Sequence, residues 1–189
     1  MLPPVFFERP LPEDIVSAKR QARGRNFTAA LVRGVSRRCR HGFPQVVVCG
    51  PLRKGLPFPT TFWLTCPYLS HRANSLESAA AVPELGDLLR GESKEDWILF
   101  NHEHALVRVF LMGPSMAESL REKNPSAWEA LTRTGVGGIR VKGTFSVKCL
   151  HLQTASMIGL GWHPAEEWLI EKLGDLECGA PGDWPCAGH

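Results

Sequence analysis

The sequence predicts an α+β fold: a small, mostly antiparallel sheet, built from a hairpin and a third strand, covered by several helices. Three observations predict it. Runs of strand length rich in β-branched and aromatic residues (FTAALVRGVSRRC, QVVVCGPL, TTFWLTC) crowd into residues 27–66 and are separated by glycine and proline. From residue 70 onward helix formers dominate, with apolar residues at helical spacing. The chain has 189 residues, enough for one domain with a full core and short for two. We therefore place a single domain at 1–176 and a loose, Pro/Gly-rich tail at 177–189.

The elements follow in order. PEDIVSAKRQAR (12–23) reads as a short helix, with Pro12 in its first turn and Glu13 and Asp14 near its positive end. Residues 27–39 read as a strand, RHGF (40–43) as a turn and 45–52 as the returning strand. RKGLPFP (53–59) is a loop, and TTFWLTC (60–66) a third strand that Pro67 must stop, because proline cannot donate to a ladder. Helices are expected at 70–81, 82–91, 93–112, 114–124 and 124–135. In the third of these Trp97, Phe100, His104, Val107 and Leu111 mark one buried face. Residues 135–149 return to glycine and β-branched side chains and suggest a hairpin or a loop and strand. A buried helix (150–161) and an amphipathic one (163–176) follow.

A content of 43% hydrophobic and 22% charged residues is that of a soluble globular protein. No apolar run approaches the roughly 18 residues that span a bilayer. The N-terminus lacks a basic region followed by a long apolar core, so a signal peptide is not expected and the cytoplasm is the expected location. Net charge is only +3, but residues 19–40 carry eight Lys and Arg and no acid, a block able to meet nucleic acid or an acidic partner.

Six cysteines in a reducing compartment are core residues, reactive thiols or metal ligands rather than a disulfide framework. Cys39, Cys66, Cys149 and His151 all fall at ends of predicted elements, where loops assemble sites on a scaffold. Three thiolates and one imidazole are a common zinc shell. The spacing 39…66…149-x-151 has no tight C-x2-C pair, so buried cysteines remain the competing reading. A third reading makes Cys149 a nucleophile and His151 its base. On a regular helix, side chains two apart diverge, so that reading needs a different local backbone. In the tail, Cys178, Cys186 and His189 offer a further metal option, and Cys49 reads as core.

Anion-binding candidates are Arg53 and Lys54 in the glycine-containing loop 51–61, Arg140 after GVGG (135–138), and Lys148 beside Cys149. Neither loop has the order of a P-loop or of a dinucleotide fingerprint. His102 and His104 diverge by about 200° on a helix and cannot chelate one ion. Glu103 and Arg108 read as a solvated face, with a pocket lining as the alternative. Trp63 is either core or a stacking surface for a base.

The segments RCRHGFPQVVVCGPLRKGLPFPTTFWLTCPYL (38–69), TGVGGI (134–139) and VKCLHLQTA (147–155) resemble the bacterial family Domain of Unknown Function 501, over roughly residues 20–165. The resemblance places Cys39, Cys66, Cys149 and His151 at the family's Cys, Cys-or-His, Cys and His positions. Alternation of Cys with His is what a metal shell tolerates, so the resemblance implies one shared metal site. Zinc is the first expectation and an iron–sulfur cluster the second. Two functions compete. One is a metal-dependent enzyme acting on a phosphate-bearing small molecule or nucleotide. The other is a binding module with a structural metal, whose basic face at 19–40 meets RNA or an acidic partner. A membrane partner is not expected.

Overall fold

A computed structural model describes residues 7–23, 25–140 and 145–186. Helix α1 (Pro12–Gln21) precedes the strands β1 (Val32–Arg38) and β2 (Pro44–Cys49), which pair antiparallel as the hairpin expected from the sequence. The turn between them closes with Cys39 N–H on the Phe43 carbonyl (2.9 Å) and Gly42 N–H on the Cys39 carbonyl (2.9 Å). Gly42 takes φ +84°, a value that suits glycine. Residues 53–59, expected as plain loop, instead carry a small ribbon of β3 (Leu52–Arg53) and β4 (Leu56–Pro57). Two-residue strands containing proline are too short to give a periodic signal.

Strand β5 (Phe62–Leu64) adds to the free edge of β2, pairing Val47 with Trp63 and Val48 with Phe62, so the sheet order is β1-β2-β5. Every residue of β2 is buried. That is why VVV reads as a continuous apolar run rather than an alternation: both faces are covered. Val47 and Cys49 pack with Ala18 of α1 on one side. Val46 and Val48 pack with Phe62, Leu69, Val107 and Ala155 on the other. Each Val, Leu or Phe side chain among these removed from water contributes about 1.5–3 kcal/mol.

The helical layer is α2 (Pro67–Ser78), α3 (Ala81–Arg90), α4 (Lys94–Met112), α5 (Pro114–Lys123), α6 (Pro125–Thr132), α7 (Leu150–Leu160) and α8 (Glu166–Leu173). α2 starts at Pro67, three residues before the expected start. The proline that ends the strand also supplies a preset φ for the first helical position. Asn124 caps α6, its side-chain oxygen accepting from Ala127 N–H at 3.1 Å. Among 135–149, Val136–Gly138 forms a 3-10 turn and Thr134 bridges Arg140, while 145–149 has no regular structure. The rest of the expected hairpin, 141–144, lies outside the described residues.

α4 carries the expected buried face: Trp97, Phe100, His104 and Val107 are all under 5% exposed. Arg108, expected on a solvated face, is fully buried. Its guanidinium donates to the carbonyls of Leu131, Pro59, Gly135 and Thr134, which explains how a cation is tolerated there. The segment after α8 runs back over the hairpin. Leu176 carbonyl accepts from Gln45, Glu177 accepts from Arg40 N–H, and Cys178 carbonyl meets His41 Nε2. No helix among the described residues is long and apolar enough to cross a membrane.

Candidate metal centre and adjoining cavity

α7 is the most deeply set helix, and its first turn faces α2. Cys149 is its N-cap, with extended torsions (φ −55°, ψ 154°), and His151 is the second helical residue. Because Cys149 lies outside the helical spiral, its side chain need not diverge from His151 as helical i, i+2 pairs do. On α2, Ser70, Asn74 and Glu77 recur at helical spacing, so one face of that helix is turned to this junction. Glu77 accepts from His151 Nδ1 at 2.9 Å and from the His151 backbone N–H at 3.3 Å.

One ligand atom each from Glu77, Cys149 and His151 lies within 4.8 Å of the others, and no other trio of His, Cys, Asp or Glu does so among the described residues. Cys149 is exposed, while His151 and Glu77 are half-buried. The hydrogen bond with Cys149 is the main cause that raises the His151 pKa above its ordinary value. Glu77 adds to it and burial opposes.

The geometry separates two chemistries. In a nucleophile–base–carboxylate relay the imidazole stands between its partners, one ring nitrogen on each. Thiol and carboxylate are then roughly 7 Å apart. Here sulfur and carboxylate lie within 4.8 Å of each other. All three donors converge, as ligands do around an ion held at about 2.0–2.3 Å. One thiolate, one imidazole and one carboxylate form a set that zinc accepts and that leaves a fourth position open. A cluster wants thiolates at nearly every position, and a single cysteine does not meet that need.

Cys39 and Cys66 do not join this trio within that distance. Cys39 closes the hairpin turn, and Cys66 is the N-cap of α2, the opposite end of that helix from Glu77. Element ends are numerous in this fold, and lying at one does not bring a residue to any particular other.

Beside the trio, and sharing His151 with it, is an open cavity of about 720 Å³. Arg23, Arg25, His71, Asn74 and Trp63 are among its lining residues, which include no Asp or Glu. Arg25 is fixed by donating to the carbonyls of Leu64 (2.9 Å) and Thr65 (3.3 Å) and to Ser70 Oγ (3.2 Å). Arg23 is exposed at the wall. The Trp63 ring stacks on Phe58 and meets Phe27 edge-on, which holds its orientation.

None of the predicted anion residues is among the lining residues of this cavity. Arg53 and Lys54 are exposed on the β3–β4 ribbon, and Lys148 is exposed next to Cys149. Arg140 lines a second cavity of about 760 Å³ with His102 and Arg133. Glu77 carries no local signal that sequence reading could have used, being an ordinary acid on a surface helix. Arg23 and Arg25 did stand in the basic block, whose other members are largely engaged within the fold. Arg20, Arg33, Arg38 and Arg40 each bond carbonyls or carboxylates of the chain itself.

The family described as Protein of unknown function (DUF501) matches residues 35–171, and the chain belongs to it. No curated protein and no solved structure matches the chain.

Proposed function

We propose that the chain is a metal-dependent enzyme acting on a phosphate-bearing small molecule, a nucleotide above all, with zinc held by Glu77, Cys149 and His151. The observation that carries this reading is the convergence of the three donors at the rim of a cavity whose lining is cationic and free of acids. Zinc at that place would polarise a phosphoryl oxygen. Arg23 supplies a free cation for phosphate, and Arg25 a fixed one. The Trp63 ring offers a flat apolar face for a base. The cavity volume is in the range of small-molecule sites. The competing reading, a binding module that uses the 19–40 face, is disfavoured because most of that block's arginines are spent on the chain's own carbonyls and carboxylates.

The test is the metal content of the full chain and of the Cys149→Ala and His151→Ala variants, together with phosphate release from a panel of nucleotides. Each variant is expected to hold one zinc equivalent less than the parent and to lose phosphate release. Equal metal in parent and variants would end the metal reading. Metal at the site with no turnover or binding of any nucleotide would end the substrate assignment.

A further inference from the structure

Helix α2 forms one wall of the cavity beside the trio, lining it with Pro67, Ser70, His71 and Asn74. Two side chains of this helix hold groups of opposite kinds. Ser70 Oγ accepts from Arg25 Nη1 at 3.2 Å. Seven residues on, the Glu77 carboxylate accepts from His151 Nδ1 at 2.9 Å. Seven residues make about two turns, so Ser70 and Glu77 share one face of α2 and lie about 10 Å apart along its axis. The cavity therefore has two poles. One is the trio of Glu77, Cys149 and His151, whose histidine lines the cavity. The other is the pair Arg23 and Arg25, with His71 next to Ser70 in the helix.

The two arginines divide the work at their pole. Arg25 is anchored, its donors turned to the carbonyls of Leu64, Thr65 and Gln21 and to Ser70 Oγ. It contributes mainly fixed positive charge. Arg23 is exposed in the same wall and brings a guanidinium fork that suits a phosphoryl group. No Asp or Glu is among the lining residues, so a second negative group meets no like charge there.

We infer that the ligand of this cavity carries two phosphoryl groups set apart on its body, one for each pole. The inference rests on the reading of the site as a zinc-dependent phosphate site, and it narrows the substrate class. One phosphoryl group would sit at the trio and the other at Arg23 and Arg25. A ligand with a single phosphate leaves one pole unused. Two phosphoryl groups that share a bridging oxygen, as in a diphosphate, are too close together to meet poles two helical turns apart. Groups at separate places on one body are not. A dinucleotide with a terminal and an internal phosphate has this form, and so has a hexose phosphorylated at both ends. A cavity of about 720 Å³ has room for either. Phe62, Trp63 and Leu152 are in the same lining and give the body of the ligand an apolar surface, whether a base or the carbon face of a sugar.

The full chain is loaded with zinc, and calorimetry measures its affinity for both forms. A dinucleotide with a terminal phosphate and a hexose bisphosphate are each titrated beside the form that lacks one phosphate, with pyrophosphate as a further probe. At least one of the two-phosphate ligands is expected to bind about tenfold or more tightly than its one-phosphate form and than pyrophosphate. The one that does so identifies the body between the phosphates. Arg23→Ala, at an exposed position, is expected to remove that advantage and to keep the zinc content of the parent. Equal affinity for one-phosphate and two-phosphate forms overturns the inference. So does an advantage that survives in Arg23→Ala, or pyrophosphate binding as tightly as either longer ligand. Those results leave the zinc and phosphate reading of the site standing, because one-phosphate forms still bind. Zinc bound at the trio with no binding of any probe ends both.

Discussion

Glu77 and His151 are 74 positions apart in sequence, yet the Glu77 carboxylate accepts both the ring Nδ1–H and the backbone N–H of His151. The second bond satisfies one of the free amides in the first turn of α7, where negative charge is also favoured. The first puts a proton where a cation would bridge the same two atoms. On the proposed reading Glu77 would add a binding role to its folding role, and two substitutions separate them. Glu77→Gln retains an acceptor but no charge, so zinc affinity is expected to fall about 10–100-fold with little change in melting temperature. Glu77→Ala removes the helix contact as well and should cost about 1 kcal/mol of stability besides. Chelator competition and thermal melts measure the two effects. Parent-like affinity in Glu77→Gln would remove Glu77 from the ligand set.

Arg108 is the largest fully buried side chain, and no carboxylate pairs with it among the described residues. Burial depresses its guanidinium to about 10, so it stays charged at neutral pH. Its donors gather the carbonyls of Pro59, Leu131, Thr134 and Gly135, tying the segment before β5 to the loop that follows α6. Arg108→Met leaves those acceptors unpaired. We expect a loss of about 3 kcal/mol or more, since each unsatisfied buried group costs about 1–3 kcal/mol. For a chain of this size that is a fall of about 6–12 °C in melting temperature. A shift within 1 or so degree of the parent, by order of magnitude below 1 kcal/mol, would show that water can take the place of the guanidinium.

The fold was legible where local pattern and tertiary outcome coincide. VVVC between turn residues is a strand in either context, and the Trp97–Phe100–His104–Val107 spacing already names the buried side of α4. The β3–β4 ribbon was not, because two-residue strands have no period. Part of the candidate site rests on local relations and part on tertiary packing. Cys149-x-His151 is a local relation, and the N-cap torsions that let the two converge arise within that turn. Glu77 reaches them only through the packing of α2 on α7, which no short-range pattern encodes. Cys39 and Cys66 share the signature of lying at element ends, one in the hairpin turn and the other at the start of α2, and neither joins the trio of Glu77, Cys149 and His151. Arg108 misleads for a similar reason. Charge normally marks a solvated face, and only the converging carbonyls explain the exception.

Gly159 lies where α7 crosses β5, and a Cβ there would fall inside the van der Waals surface of the Phe62 ring. Phe62 lines the cavity and packs edge-on against His104. Gly159→Ala should gain about 1 kcal/mol of helix propensity and lose about 1–3 kcal/mol to overpacking. A net loss is expected, with Phe62 displaced toward the cavity. Ligand affinity should then fall more than melting temperature does. A more stable variant with unchanged affinity would show that the ring yields without cost.

His163 makes the fold sensitive to acid. Its Nδ1 accepts from Ala165 N–H at 2.9 Å, so the proton resides on Nε2, which donates to Gln153 Oε1 at 3.0 Å. Protonating Nδ1 would break the backbone bond and bury a charge, and burial brings the pKa down to about 3 from the usual 6.5. His104, close by and with neither ring nitrogen partnered among the described residues, is lowered too, by burial first and then by Arg108 and His163. The unfolded chain takes up these protons near 6.5 and the folded chain does not. Stability is therefore complete above pH 6.5 and declines below it, by about 1.4 kcal/mol per pH unit for each such histidine, until the folded form protonates. For His163 that window closes near pH 3. Urea denaturation between pH 7.5 and 4.5 should show this slope, and His163→Gln should reduce it by about one proton even if the variant is less stable throughout. An identical slope in parent and variant would mean that His163 is already charged in the native protein, contrary to its hydrogen bonds.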